Sequence, residues 1–188
     1  MALKLQTIIA STRPGRVGPS VAGWFHEFAR NHGDFEAELV DLAEFKLPVY
    51  DEAVHPRFQQ YEQEHTRRWS ASVASADAYV FVAPEYNYGP SPALVNALDF
   101  LFHEWNYKPC GFVSYGGVSG GLRAAQMSRL HVTTMKMMPM MEGVTVPMVQ
   151  SHISDSGTFA SNRLIDASAQ SLLDELLRWA EALRPLRA

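Results

Sequence analysis

Cysteine occurs once in 188 residues, at Cys110. A lone thiol forms no intrachain disulfide and cannot cycle as a dithiol, so any electron traffic here needs a borrowed cofactor. Excess positive charge is also missing. Sixteen Lys and Arg stand against twenty Asp and Glu, a formal net charge of −4. Without a surplus of cations to neutralise a run of phosphates, no nucleic-acid partner is expected. Long apolar runs are absent too. The densest, Ala78 to Pro84, falls far short of the ~20 residues that span a bilayer. The opening Met-Ala-Leu-Lys starts no secretory signal, so neither membrane insertion nor export is expected and the chain reads as cytoplasmic. The seven histidines form no HxH or HxxH pair, which leaves a metal site without support. What is present is a 47% hydrophobic chain of one-domain length, residues 1–188. At that size folding removes about 70% of the unfolded surface from water, which excludes disorder and metal-stapled miniproteins.

The apolar pattern alternates between two periods. Leu3 to Ala10 is an apolar run of strand length. Val21, Trp24, Phe25 and Phe28 then share one helical face between Ser20 and His32, with Gly33 as the stop. Phe35, Ala37 and Leu39 alternate as in a strand, and Ala43 to Arg57, with two prolines and no clean period, reads as a loop. Tyr61, His65, Trp69 and Val73 recur every fourth residue, predicting a second helix. Ala78 to Ala83 is continuously apolar, as in a central strand covered on both faces. Ser91-Pro92 opens a third helix carrying Leu94, Ala97, Leu98 and Leu101. Cys110 to Tyr115 predicts a fourth strand, Leu122 to Val132 a helix, and Met137 to Val146 a fifth strand. Ile165, Ala169, Leu172, Leu176, Trp179 and Leu183 mark a long terminal helix. Strand and helix thus alternate five times, which argues for a parallel α/β sheet with helices on both faces and ligands beyond the carboxyl ends of the strands.

Three loops at those ends carry the chemistry. The first, Ser11 to Ser20, gathers Ser11, Thr12, Arg13, Arg16, Gly18 and Ser20 before a helix whose free N–H groups and dipole favour an anion; Val21 follows inside the helix. It lacks the Gly-Lys-Ser/Thr ending of a Walker loop and is not G-x-G-x-x-G, which disfavours nucleoside triphosphate hydrolysis. In isolation, a polar loop with solvent-facing arginines would read the same way. The second loop, Pro84-Glu85-Tyr86-Asn87-Tyr88-Gly89-Pro90, places two tyrosines where flat side chains can flank a planar ring. The third, Ser114-Tyr115-Gly116-Gly117, lets bare backbone approach a ligand. An anion site beside a flat-ring site suits a ring that carries one phosphate on a flexible linker, the design of flavin mononucleotide (FMN).

On these residues the chain resembles the NADPH-dependent FMN reductase family, flavodoxin-like proteins that include quinone and azo-dye reductases. The family's Gly-Ser-x-Arg is matched by Ala10-Ser11-Thr12-Arg13, departing at the glycine. Its Pro-Glu-Tyr-Asn is intact as Pro84 to Asn87, and its glycine pair is similar to Gly116-Gly117. The resemblance implies a flavodoxin-like three-layer sandwich with a five-stranded parallel sheet ordered 2-1-3-4-5 and FMN at its carboxyl edge. It implies hydride transfer from NADPH or NADH to flavin N5, then electron transfer to a quinone, an azo compound or free flavin. No protein side chain is then needed as a catalytic acid or base. It also implies a homodimer or homotetramer whose partner helps wall the site.

Two other functions compete. A flavodoxin-type electron carrier would share the fold without being an enzyme, but by resemblance its phosphate loop lacks arginines such as Arg13 and Arg16. A serine hydrolase is suggested by Gly117-Val118-Ser119-Gly120-Gly121, a G-x-S-x-G between strand and helix. Downstream, only Glu142 precedes His152 as an acid before a histidine, which would compress the rest of that fold into a few dozen residues.

Overall fold

The computed structural model describes residues 2–187. Six strands form one sheet: β1 (Leu3–Ile9), β2 (Phe35–Asp41), β3 (Ala78–Pro84), β4 (Pro109–Tyr115), β5 (Met138–Pro139) and β6 (Val144–Val146). The order is β2-β1-β3-β4-β5, all parallel, and β6 also pairs with β4. The predicted flavodoxin-like order therefore holds. β3 and β4 are buried at every position, as their continuous apolar runs require.

Side chains alternate between the two faces of the sheet. Val80, Val82 and Val113 pack with Val21 and Phe25 of α1 (Gly18–His32) and with Leu172 and Leu176 of the terminal helix, Arg163–Leu183. Tyr79, Phe81 and Phe112 point the other way, onto Trp69, Leu94, Leu98 and Val132 of the opposite helical layer. That layer contains α3 (Glu64–Ala74), α4 (Pro92–Asp99) and α5 (Leu122–Thr133). A short α2 (Leu42–Phe45) follows β2, and the terminal helix is α6. Each fully buried Leu, Val or Phe stabilises by roughly 1.5–3 kcal/mol. The buried indole N–H groups of Trp69 and Trp105 are satisfied by Ala97 O at 2.8 Å and Leu98 O at 3.3 Å, which locks α4 to its neighbours.

Parallel register brings the loops together. Ile9 lies level with Asp41 and Val82, and Pro84 with Tyr115, which in turn pairs with Val146. The loops after β1, β3 and β4 consequently leave the sheet at one edge.

Several expectations are corrected. The fifth strand is two short pieces, Met138–Pro139 and Val144–Val146. The loop expected from Ala43 contains most of α2. α3 begins at Glu64, so Tyr61 precedes it, and Leu101 lies beyond the end of α4 though still buried. α1 begins at Gly18 rather than at Ser20. Among the described residues no helix is long and apolar enough to cross a membrane.

Candidate active site

The first loop is rich in unused donors. Ser11 is fully buried, and its Oγ lies beside Tyr115 Oη without a hydrogen bond of full geometry to any protein group. Among the described residues, the main-chain N–H groups of Ser11, Thr12, Arg13 and Gly18 meet no protein acceptor. α4 and α6 are capped by the side chains of Ser91 and Asn162, whereas α1, like α3 and α5, begins with no side-chain cap. Buried polar groups are normally paired, so this set fits an anion with several oxygens. The two arginines differ. Arg13 is exposed, and its guanidinium has no acidic partner among the described residues. Arg16 faces Asp41 at the end of β2, with N–O distances of 2.7 and 2.5 Å, and also donates to Ser11 O. This pairing raises the Arg16 pKa further, so its fork braces the loop from within. Ser20 Oγ donates to Gly157 O at 2.6 Å, and Val21 is in the core. Gly18 has no room for a side chain: a β-carbon there would collide with Ser11 Oγ and lie 2.7 Å from Tyr115 Oη. Tyr115 thus reaches from β4 to the first loop, and burial pushes its phenol up to about 12.

The second loop is a two-residue hairpin. Tyr86 and Gly89 exchange N–H···O bonds of 3.0 and 2.9 Å, and the central Asn87 and Tyr88 both have positive φ, 50° and 71°. Glu85 N donates to Tyr115 O at 3.2 Å, joining this loop to β4. The Glu85 carboxylate turns away from solvent toward the start of α5. It accepts from Ser119 Oγ at 3.0 Å, from Arg123 N at 3.2 Å and from Arg123 Nε at 2.8 Å. Those bonds, Arg123 foremost, hold the carboxyl below its usual range. Arg123 also lies 3.8 Å over the Tyr88 ring.

In the third loop, Gly116 O and Gly117 O accept from Val149 N (3.0 Å) and Met148 N (2.8 Å). Gly117 is exposed, and its N–H has no protein acceptor among the described residues. Ser114 is buried in β4 with its Oγ 3.5 Å from Val144 O, turned toward β6.

The structure brings the three loops to one edge, but it gives Arg16 and the Glu85 carboxylate to internal partners. Sequence reasoning missed Asp41 and Arg123, and it read Ser91 only as a helix start, whereas the Ser91 Oγ also donates to Ala10 O beneath the first loop. Arg123 sits in an ordinary amphipathic helix, where nothing local marks it. Ser119 was noticed for the wrong chemistry. Its hydroxyl is bound to a carboxylate, while His152 Nδ1 lies 3.0 Å from Ala160 O, so the two do not form a nucleophile–base pair.

An open parallel sheet of this order, with a donor-rich β1–α1 loop and two further loops at the same edge, defines a flavodoxin-like α/β protein. A flavoenzyme NAD(P)H:(acceptor) oxidoreductase from Paracoccus denitrificans has the same fold, with a TM-score of 0.75 and 18% identity over 96% of this chain and 98% of that one. Residues 3–151 match the family model for NADPH-dependent FMN reductase, and the chain belongs to that family. It is 42% identical to an NAD(P)H-dependent FMN reductase of Nectria sp over 140 residues, covering 71% of this chain and 70% of the relative. It is also 42% identical to one of Schizosaccharomyces pombe over 149 residues, covering 77% and 74%.

Proposed function

We propose that this protein is an NAD(P)H-dependent FMN oxidoreductase whose three edge loops hold the cofactor. Family membership and the named relatives support FMN as cofactor and NAD(P)H as electron donor. The observation that carries the reading is the set of free main-chain N–H groups of Ser11, Thr12, Arg13 and Gly18, beside the fully buried Ser11 Oγ, at the start of α1. A phosphate takes those N–H groups and the Ser11 and Thr12 hydroxyls, with Arg13 as the free charge. Arg16, through Asp41, and Ser20, through Gly157, keep the loop in shape, while Gly18 and Val21 leave the space clear. Pro84, Tyr86, Asn87 and Tyr88 flank the ring on one side, and Glu85 anchors them. Ser114, Tyr115 and Gly116 support the other side, and the Gly117 N–H is a free donor for the ring's polar edge. FMN held by these loops would supply the redox chemistry, accepting hydride from NAD(P)H at N5 and giving up the electrons to a second substrate. The chain's own contribution is placement and exclusion of water, with no side chain assigned to proton transfer.

The acceptors that suit this site are flat and mostly apolar: a quinone, an azo compound or free flavin. A cavity of about 800 Å³ between α2 and α4 borders both Thr12 and Pro90 and gives room for one. Val49, 89% exposed on its wall, suits closure by a second copy, hence a homodimer or homotetramer, which sedimentation tests directly. The decisive experiment is an anaerobic absorption spectrum of protein reconstituted with FMN, before and after NADPH. Bleaching of a bound flavin spectrum is expected, and failure of the protein to take up FMN would overturn the proposal.

A further inference from the structure

The hairpin after β3 breaks a local rule. A two-residue turn with positive φ at both central positions favours Asn-Gly, because only glycine enters the left-handed region freely. Here the pair is Asn87-Tyr88, and the glycine comes one residue later, at Gly89. A large aromatic residue in this conformation persists only where its surroundings over-determine it, and such positions concentrate at functional sites. Tyr88 is 67% exposed, so core packing is not what holds it. Arg123 is: its guanidinium covers the ring at 3.8 Å while its other edge binds the Glu85 carboxylate, Nε to Oε1 at 2.8 Å and Nη2 to Oε1 at 2.5 Å. Ser119 Oγ, 3.0 Å from both carboxylate oxygens, fixes Glu85 from below. The buried end of this chain is Glu85, its side chain only 7% exposed, and the exposed end is Tyr88.

We propose that Arg123 is a positioning residue that clamps Tyr88 in its left-handed turn at the rim of the cofactor cleft, with Ser119 and Glu85 as its anchor. α5, which follows the third loop, thereby sets the shape of the second loop, and the Tyr88–Arg123 pair is the latch that retains the flavin. The functional half of this inference rests on FMN binding in the cleft. The clamp itself does not.

The test has two arms. In ligand-free protein, hydrogen exchange at the Tyr86 and Gly89 amides, which close the hairpin, rises at least tenfold in Arg123→Ala. It returns toward wild type in the double variant Arg123→Ala/Tyr88→Gly, since glycine holds the turn without a clamp. A merely structural loss of the Arg123–Glu85 ion pair would not be rescued in this way. In the second arm, apoprotein is titrated with FMN and flavin fluorescence quenching is read. Arg123→Ala weakens binding about tenfold, Arg123→Lys restores little because lysine lacks the planar fork, and Ser119→Thr stays closer to wild type than Ser119→Ala. Unchanged exchange in Arg123→Ala overturns the clamp, and raised exchange with unchanged FMN affinity overturns the latch. If wild-type protein takes up no FMN, the proposed function and the latch fail together, and the exchange arm still decides the clamp.

Discussion

Gly18 and Ser11 share a space that admits only one side chain. A β-carbon on Gly18 would collide with Ser11 Oγ and press on Tyr115 Oη at 2.7 Å. Overpacking of this kind costs about 1–3 kcal/mol. Gly18→Ala must push Ser11 or Tyr115 aside, and both lie under the donor-rich loop. FMN affinity in this variant is expected to fall by at least tenfold, read by fluorescence titration. Retained affinity would place the phosphate elsewhere.

Arg13 and Arg16 should separate binding from stability. The exposed Arg13 guanidinium has no acidic partner among the described residues, so Arg13→Ala would remove only the proposed phosphate contact. A charge-assisted contact is worth roughly 1.5–3 kcal/mol, so affinity drops about 10- to 100-fold with an unchanged urea midpoint. Arg16→Ala leaves Asp41, only 18% exposed, without its cation and frees Ser11 O. Its urea midpoint should fall together with FMN affinity. Equal behaviour of the two variants would contradict this division of roles.

What was legible in the chain was what depends on near neighbours. The two fully buried strands, the Ser91-Pro92 start of α4 and the Gly33 stop of α1 follow from local pattern and backbone chemistry. The fifth strand was misread because its interruption is caused from afar. Arg129 of α5 collects the carbonyls of Met140, Met141 and Glu142, the residues that separate β5 from β6. Tyr61 matched the four-residue period of α3, yet it stands outside the helix, because the distant Glu52 carboxylate takes the N–H groups of Glu62 and Gln63 just ahead of the helix start. The candidate site followed the same division. Its loops were readable from glycine, proline and hydroxyl content, whereas Asp41 and Arg123 are brought in only by the register of β2 and by the contact of the start of α5 with Glu85.

Lys108 makes stability depend on pH at the opposite edge of the sheet. Its ammonium is buried at the end of α3, donating to Val73 O (3.0 Å), Ala74 O (3.3 Å) and Tyr79 Oη (3.0 Å). Burial pulls its pKa from 10.5 down to about 8. Between those values the unfolded chain binds more protons at this site than the folded one, so stability rises with pH there. Below pH 8 the group is charged in both states and the full desolvation penalty is present. Relative to Lys108→Met, wild-type protein should gain about 2 kcal/mol in urea unfolding between pH 7 and 9.5. Parallel pH profiles for the two proteins would refute the assignment.

The last prediction concerns which glycines of the third loop are structural. The sequence draws attention to Gly116-Gly117, but a β-carbon on Gly117 would meet nothing within 4 Å. The crowding lies further on. Gly121 has φ 81°, and a β-carbon there would sit 2.7 Å from Tyr115 N and 2.8 Å from Tyr115 O, against the backbone of β4. Backbone cannot swing away as a side chain can, and the left-handed conformation adds its own penalty of about 1 kcal/mol for a residue with a β-carbon. Gly121→Ala is therefore expected to lower stability by about 3 kcal/mol, the two penalties together. Gly117→Ala should fold with a wild-type urea midpoint. Because the Gly117 N–H is a free donor of that loop, the added methyl acts only on what approaches it, and FMN affinity should fall severalfold at constant stability. A destabilised Gly117→Ala, or a Gly121→Ala as stable as wild type, would mean that the loop after β4 is held differently from the way these contacts require.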